Sequence, residues 1–547
     1  MMKKLYIAFL FLISFNALLA QQASLVKNVD GTSNDGSGFF NNGIFKVKDS
    51  LILFPGTSFF PGFELFRSNG TMSGTDVTKD IYPGNSSCWT GLSSNRAFSN
   101  NKQLFFQAQE PGDGFELWTS DGSDSGTFKL KDFNPFSAAN SNPQKFVSPD
   151  NKKVFFMASI NGVLKTCVTD GTLIGTDSTS IKAAELPNLY CNGYYYYTKN
   201  NPASIYSNDI WRLETASLQG QFVYDTDSIN HEGRAVLITV YGDSLILYKA
   251  QIDTSIHLFT LNVNSLQVTQ LPEVHPTYPN LKWHTAFYRI PGTDLVLFSA
   301  KSTNEGVELW VCDGNSVKIL SDINPGISNG IDQPSIPIPS YIFHDGWVYF
   351  SALRDGLGYD IFKTNGYSAS TSVAYEFSTF SNTYAAAPIC SGAGYLLGGL
   401  KTCVGSGCNM YDLYILNNGN ATPLLNSNGE TLQVNDNYRY GIEMGGSLYF
   451  MARANTSGRE IYKLNGTVTK FHDVEFNNSV QIYPNPTFNN INIKAKSGSK
   501  IMLFDILGNL VIETTIDNNS MSLNLQSLPS GLYSLRVNEY SKKIVKY

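Results

Sequence analysis

Apolar and polar stretches alternate along most of the chain with a period near 50 residues. Each unit opens on a run that ends in aromatic or large aliphatic residues. Examples are Leu104-Phe105-Phe106, Val154-Phe155-Phe156, Trp347-Val348-Tyr349-Phe350 and Leu448-Tyr449-Phe450. A second short run follows, built on an acidic–aliphatic–aromatic step. Its acids are Glu64, Glu116, Asp209, Glu308, Asp360, Asp412 and Glu460, with weaker copies of the run at Leu164 and His257. Next comes an Asn-Gly or Asp-Gly pair at Asn69, Asp121, Asp170, Asp313, Asn365, Asn418 and Asn465. Such pairs favour the left-handed backbone of a tight hairpin. A third run returns and often closes on Lys-Asp and Pro-Gly, as in Lys79-Asp80-Ile81-Tyr82-Pro83-Gly84.

Alternation with period two and hairpin signals predict short, half-buried antiparallel strands. A unit of three or four such strands cannot bury both faces alone, but stacked copies can. The period suits a four-stranded blade, so the predicted fold is all-β: a β-propeller-like array of about eight or nine units over residues 21–475, followed by a small C-terminal β-sandwich over 480–547. The units near Tyr195 and Leu247 are degenerate and leave the blade number open. Ser24-Leu25-Val26-Lys27-Asn28-Val29-Asp30-Gly31 reads like the third run of a unit, placed before the first complete one. It is positioned to pair with the last blade and clasp the ring.

Glu116-Leu117-Trp118-Thr119-Ser120-Asp121-Gly122-Ser123 resembles the ELWxxDGT repeat of secreted Bacteroidota proteins, with looser copies at Glu64–Thr71 and Glu308–Asn315. The resemblance covers roughly residues 50–475 and implies a propeller-like surface protein without an assigned reaction.

Beyond Asn477-Asn478-Ser479 the pattern changes. Tyr483-Pro484-Asn485-Pro486 opens the new segment, a hydrophobic stretch ends in Asp505-x-x-Gly508, and Leu528-Pro529-Ser530-Gly531-Leu532-Tyr533 lies near the end. Their order resembles the type A C-terminal sorting domain of the type IX secretion system. That resemblance implies the secretion machinery and a sortase-like peptidase as partners. It also implies export across both membranes to the cell surface or beyond.

Residues 1–20 read as a signal peptide: Lys3 and Lys4, an apolar run, then Ala17 and Ala20. A retained anchor is the alternative, although the run is shorter than a membrane span needs. No other stretch is long and apolar enough, so no transmembrane span is expected in the mature chain. The 547 residues are 13% aromatic and 15% charged with net charge −6, which excludes a disordered chain, a coiled coil and a basic nucleic-acid surface. Seven cysteines leave at least one unpaired; Cys403 and Cys408 are close enough for a local bridge, and Cys312 reads as a buried thiol. Zinc-like spacing is missing.

The repeated acids have two readings: a ring of carboxylates for cations or sugars, or an internal bond repeated because the blade is repeated. The second is favoured, since catalytic acids break symmetry. Gly242-Asp243-Ser244-Leu245 spells an esterase signature but leads into a strand, where a nucleophilic serine needs a turn into a helix and a partnered His. Calcium loops at Asn28–Asp35 and Asp121–Asp124 lack full ligand spacing. His275 and His284 flank an aromatic segment in a loop, and Trp89 or Trp283 could stack on sugars. No catalytic, cofactor or metal residue is assigned. The expected function is a secreted or cell-surface binding propeller for an extracellular glycan or protein. The alternatives are a propeller-based polysaccharide hydrolase or lyase, and a structural surface or motility component.

Overall fold

In the computed structural model the described residues are 22–546, apart from 33, 36–42, 58–61, 90–94, 136–138, 183–184, 201–207, 227–234, 243, 253–254, 273–286, 302–305, 332–340, 355–357, 378–384, 402–409, 436–439, 467–480, 486, 488, 506–509 and 538–539. The signal-peptide and linker expectations, Cys403, Cys408, Trp283, His275 and His284 lie outside them. The described residues are all-β, with no α-helix and no helix long and apolar enough to cross a membrane.

The chain divides into two compact units, Met1–Gly466 and Thr467–Tyr547. In the first, seven antiparallel four-stranded sheets follow one another in chain order. Blade 1, for example, is Phe45–Lys48, Leu51–Thr57, Phe63–Ser68 and Thr75–Lys79. The seventh is Ile342–His344, Trp347–Leu353, Tyr359–Thr364 and Ser372–Tyr375. Two further blades follow, built on Ala385–Gly392, Tyr395–Lys401 and Met410–Asn417, and on Gly441–Met444, Ser447–Ala454 and Gly458–Asn465. The segments around Tyr195 and Leu247 are full blades, the fourth and fifth.

The predicted half-buried alternation is not what the second strand of each blade shows. Leu104–Ala108 is buried along its whole length. Each blade stands between two others, so alternate side chains serve alternate interfaces. Leu104, Phe106 and Ala108 pack with Leu53 and Leu65 of blade 1, and Phe105 packs with Val154 and Phe156 of blade 3. A strand buried on both faces reads as a continuous apolar run. Such clusters recur between every pair of consecutive blades. The last joins blades 8 and 9 to Ile52, Phe54 and Phe66 of blade 1, so nine blades close a ring.

The closing strand comes from the N-terminus. Gln22–Leu25 pairs antiparallel with Gly458–Asn465, with Ser24 opposite Lys463 and Leu25 opposite Tyr462. It supplies the fourth strand of blade 9. First strands of neighbouring blades approach one another (Phe45–Lys48 beside Ala97–Ser99, and Ala385–Gly392 beside Gly441–Met444), so first strands lie innermost and fourth strands outermost.

The second unit holds two sheets, Gln481–Tyr483 with Asn490–Lys494 and Ser520–Asn524, and Leu510–Thr515 with Lys500–Phe504, Gly531–Val537 and Tyr540–Lys546. Ile491, Ile493, Ile501, Leu503, Leu535 and Ile544 form their shared core.

Candidate functional site

The repeated acids all sit on third strands. Glu64, Glu116, Glu308, Asp360 and Glu460 are wholly buried. Their side chains accept hydrogen bonds from backbone N–H groups in the segment leaving the fourth strand. Glu64 takes Ile81 (2.9 Å) and Tyr82 (3.2 Å), Glu116 takes Phe133 (3.1 Å), Glu308 takes Ile323 (2.7 Å) and Asp360 takes Phe377 (2.7 Å). In blade 9 the donor is Val29, at 3.1 Å to Glu460 Oε1. A second donor enters at the start of the passage to the next blade. The N–H of Cys88 is shared by Phe63 O and Glu64, that of Ser141 by Phe115 O and Glu116, and that of Gly330 by Val307 O and Glu308.

Burial pushes Glu64 and Glu308 up to about 7, against the pull of their N–H donors, and raises Glu116 as well. Asp209 is buried on blade 4. Asp412 differs: its Oδ1 accepts from Gln433 Nε2 at 2.7 Å. These carboxylates lie one per blade, on separate third strands. Among the described residues no group of three or more His, Cys, Asp or Glu could hold a metal ion.

The pairs at Asn69, Asp121, Asp170, Asp313 and Asn365 are not two-residue hairpins. Only the glycine is left-handed, with φ +83° at Gly70, +88° at Gly122 and +94° at Gly171. The loop is longer and follows one design. Asn69, Asp121 and Asp170 Oδ1 accept the N–H two residues on, at 3.1, 2.9 and 2.9 Å. The preceding hydroxyl of Ser68, Ser120 or Thr169 accepts the glycine N–H and bonds the hydroxyl of Thr75, Thr127 or Thr176 across the loop. A second glycine is required: a Cβ on Gly74, Gly126 or Gly175 would fall 2.0–2.1 Å from the Asx oxygen. That Gly-Thr signal stands in the sequence at the same spacing in all three units. In blade 6 the buried Cys312 sulfur takes the hydroxyl's place, accepting Gly314 N–H at 3.4 Å.

The expected two-residue turn does form at Asn418-Gly419, and others lie between first and second or second and third strands. Asn161-Gly162, Asn192-Gly193, Asp345-Gly346 and Asn418-Gly419 have positive φ at both residues, as type I′ turns require.

Ser244 lies in the turn before strand Leu245–Ile252, and its carbonyl accepts Val263 N–H at 2.8 Å; Asp243 is outside the described residues. Trp89 is 5% exposed and stacks on Phe106 at 5.2 Å, so it presents no face to a sugar. Asp30 Oδ1 accepts from Thr32 N–H, and Asp121 is bound by Ser123, so both calcium-loop candidates spend carboxylate oxygens on their own turns. Cys88, Cys167, Cys312 and Cys390 are buried free thiols, and Cys191 is buried as well. Each first strand ends its sheet at the ring axis. At three turn tips Met72, Ile174 and Tyr367 reach solvent.

In the second unit, Asn485 Oδ1 accepts Val545 N–H at 2.8 Å, tying Tyr483–Asn485 to the last strand. Tyr533 is buried and its hydroxyl donates to Pro529 O at 2.8 Å. Leu528 packs on the core and Gly531 opens the strand that pairs with Lys546. Asp505 follows strand Lys500–Phe504. Pro486 and Gly508 lie outside the described residues.

Residues 481–547 match the model of the secretion system C-terminal sorting domain. This is a type IX secretion sorting domain, and it directs the chain to the cell surface or extracellular space. No curated protein matches the sequence. Among solved structures the chain is similar to TolB from Acinetobacter baumannii, at 16% identity and TM-score 0.26, over 49% of this chain and 62% of TolB's length. It is also similar to the β-propeller domain of the Trilobed protease from Pyrococcus furiosus, described as having an open velcro topology, at 12% identity and TM-score 0.32, over 58% of this chain and 93% of that one. A third is PorZ, a bacterial surface component of the type-IX secretion system of Porphyromonas gingivalis, at 12% identity and TM-score 0.25, over 92% of this chain and 81% of that one. The propeller architecture stands on the chain's own sheets and interfaces.

Proposed function

We propose that this type IX-exported propeller is a binding module of the ELWxxDGT-repeat kind that recognises an extracellular glycan or surface protein. The supporting observation is what the blades do with their polar groups. Glu64, Glu116, Glu308, Asp360 and Glu460 are spent on backbone N–H groups inside the ring. By contrast, the first strand of each blade is the terminal strand of its sheet and sits at the axis. A terminal strand carries a row of backbone donors and acceptors on its outer side, which suits hydroxyl-rich or extended ligands. The exposed tips Met72, Ile174 and Tyr367 add apolar contacts of the kind a protein partner covers.

Residues 480–547 then act as a type A sorting domain, cleaved by a sortase-like peptidase after export. Residues 1–20 are the signal peptide, and residues 21–475 are the cargo. The test is a glycan panel probed with the exported chain, with and without EDTA, recording retention and released reducing ends. Retention without new reducing ends supports the binding module. Release of reducing ends replaces it with the hydrolase or lyase reading.

A further inference from the structure

Each blade ends on an outer strand, and an open edge of this kind is a template for another strand. Most of these edges are guarded. Lys79, Lys129, Asp177 and Lys318 put charge on the outer strands of blades 1, 2, 3 and 6. Pro423 ends that of blade 8, and the clasp on blade 9 is covered where Gln22 and Ala23 pair with Leu425 and Asn426. Blades 5 and 7 end on short strands, Val268–Gln270 and Ser372–Tyr375.

Blade 4 has no such guard. It runs Leu189–Cys191, Tyr194–Asn200, Asn208–Glu214 and Gly220–Tyr224. The outer strand reads Gly-Gln-Phe-Val-Tyr, with no charge and no proline. It is the terminal strand of its sheet, and among the described residues no other strand or loop pairs with its outer side. The register shift beside Trp211 recurs in blades 1, 2, 6 and 7, so it does not set this edge apart. Phe222 is 53% exposed. It stands opposite Trp211 in register, and the two rings meet edge-on at 5.8 Å. Trp211 and Leu218 both pack against the core between blades 3 and 4. Leu218 holds a left-handed backbone, φ +54°, in the turn that leads into this strand. Glycine adopts that conformation without strain, so a leucine there accepts strain and supplies an apolar side chain.

We propose that the outer strand of blade 4 is a docking edge for one extended, uncharged strand of a partner protein, which joins the sheet as a fifth strand. The proposal rests on the binding-module reading above and narrows it to a protein partner. Main-chain hydrogen bonds hold such a strand, and every second side chain falls on the face that carries Phe222 and Trp211. The partner segment therefore alternates apolar and polar residues. A charge on it would find no counter-charge on Gly220–Tyr224. A second copy of the chain fits less well. The edge is roughly 17 Å long, and two convex rims touch over little more than that. Such a contact falls short of the about 1,000 Å² that a stable interface needs. A single strand needs only the edge.

The experiment titrates the exported chain with capped heptapeptides that alternate threonine with valine, isoleucine or phenylalanine. Each has a counterpart N-methylated at every residue, which keeps the side chains and removes the backbone donors. Phe222→Lys places a charge on the edge. Phe128→Lys is the control, because Phe128 is 45% exposed on the already charged outer strand of blade 2. The expected result is binding of at least one heptapeptide, weakened about tenfold or more by Phe222→Lys and unchanged by Phe128→Lys. The methylated counterpart should bind at least about tenfold more weakly. Bound peptide should also slow amide exchange within Gly220–Tyr224.

Equal loss in the two variants overturns the docking edge, because the effect is then net charge. Equal binding of the methylated peptides overturns strand addition. A dimer of the free chain that Phe222→Lys abolishes assigns the edge to a second copy instead. Absence of binding by every heptapeptide also overturns the proposal. If glycans are still retained in that case, the broader binding reading stands while this edge falls. Thermal melts of both variants separate loss of binding from loss of fold.

Discussion

At Gly126 a single missing carbon holds a loop in shape. Its Cβ would lie 2.0 Å from Asp121 Oδ1, the atom that accepts from Ser123 N–H and Oγ. Gly126→Ala must therefore break the Asx bonds or shift the loop, at a cost of about 1–3 kcal/mol seen as a lower midpoint in urea unfolding. Buried acids give a second residue-scale expectation. Glu64 and Glu308 have ordinary values of 4.5 that rise to about 7 in the folded ring. Between those pH values the folded chain holds protons that the unfolded chain has released. Stability should therefore fall as pH rises from about 4.5 to 7, by on the order of 1–3 kcal/mol per carboxyl. Urea midpoints at pH 5 and pH 8 measure this, and Glu308→Gln should flatten the slope. A midpoint that rises with pH over this window, after the same comparison in Glu308→Gln, would remove the effect.

Elements differ in how openly the sequence declares them. Third strands were legible because acid, aromatic and Asx-Gly signals coincide on them. Clasp residues Ser24–Gly31 were legible because they repeat the third run of a unit, and the structure gives a chemical cause: Val29 donates to Glu460 as Ile81 does to Glu64. Innermost strands were not legible. Ala97–Ser99 and Tyr288–Arg289 are too short to show a period. The tight hairpin expected at each Asx-Gly pair forms at Asn418-Gly419 but not at Asn69, Asp121 or Asp170, because the pair alone does not separate a type I′ hairpin from a longer loop. The Gly-Thr downstream does. The sugar-facing role considered for Trp89 failed because packing against Phe106 between blades 1 and 2 governs that side chain. Deleting residues 22–30 removes a whole strand and the donor to Glu460. The expected outcome is a melting temperature lowered by more than about 5 °C and early proteolysis within blade 9, since an unpaired edge strand and the loss of a donor to a buried carboxylate are both costly. Unchanged melting and digestion would mean the clasp contributes nothing to closure.

At the scale of the whole molecule, two separate cores predict two behaviours. Residues 481–547 bury Ile491, Leu503, Leu535 and Ile544 among themselves, so a fragment of that span should give dispersed amide resonances and a cooperative melt on its own. Collapsed, undispersed spectra would show that it depends on the rest of the chain. In the ring, the clasp joins Ser24 to Lys463 across 439 positions of sequence. Closing so long a loop in an open coil would cost roughly 5 kcal/mol of entropy. Neighbouring blades remove most of that cost, because each stacks on the one before and carries the growing end around the circle. The piece of propeller made first is thus also the piece that waits longest for its partner. Until the ninth blade exists, Gln22–Leu25 has nowhere to go, and a chain cut short at any earlier blade leaves both ends of the arc open. A ring closed by its own first strand has no loose end, whereas an arc cut short at an earlier blade has two.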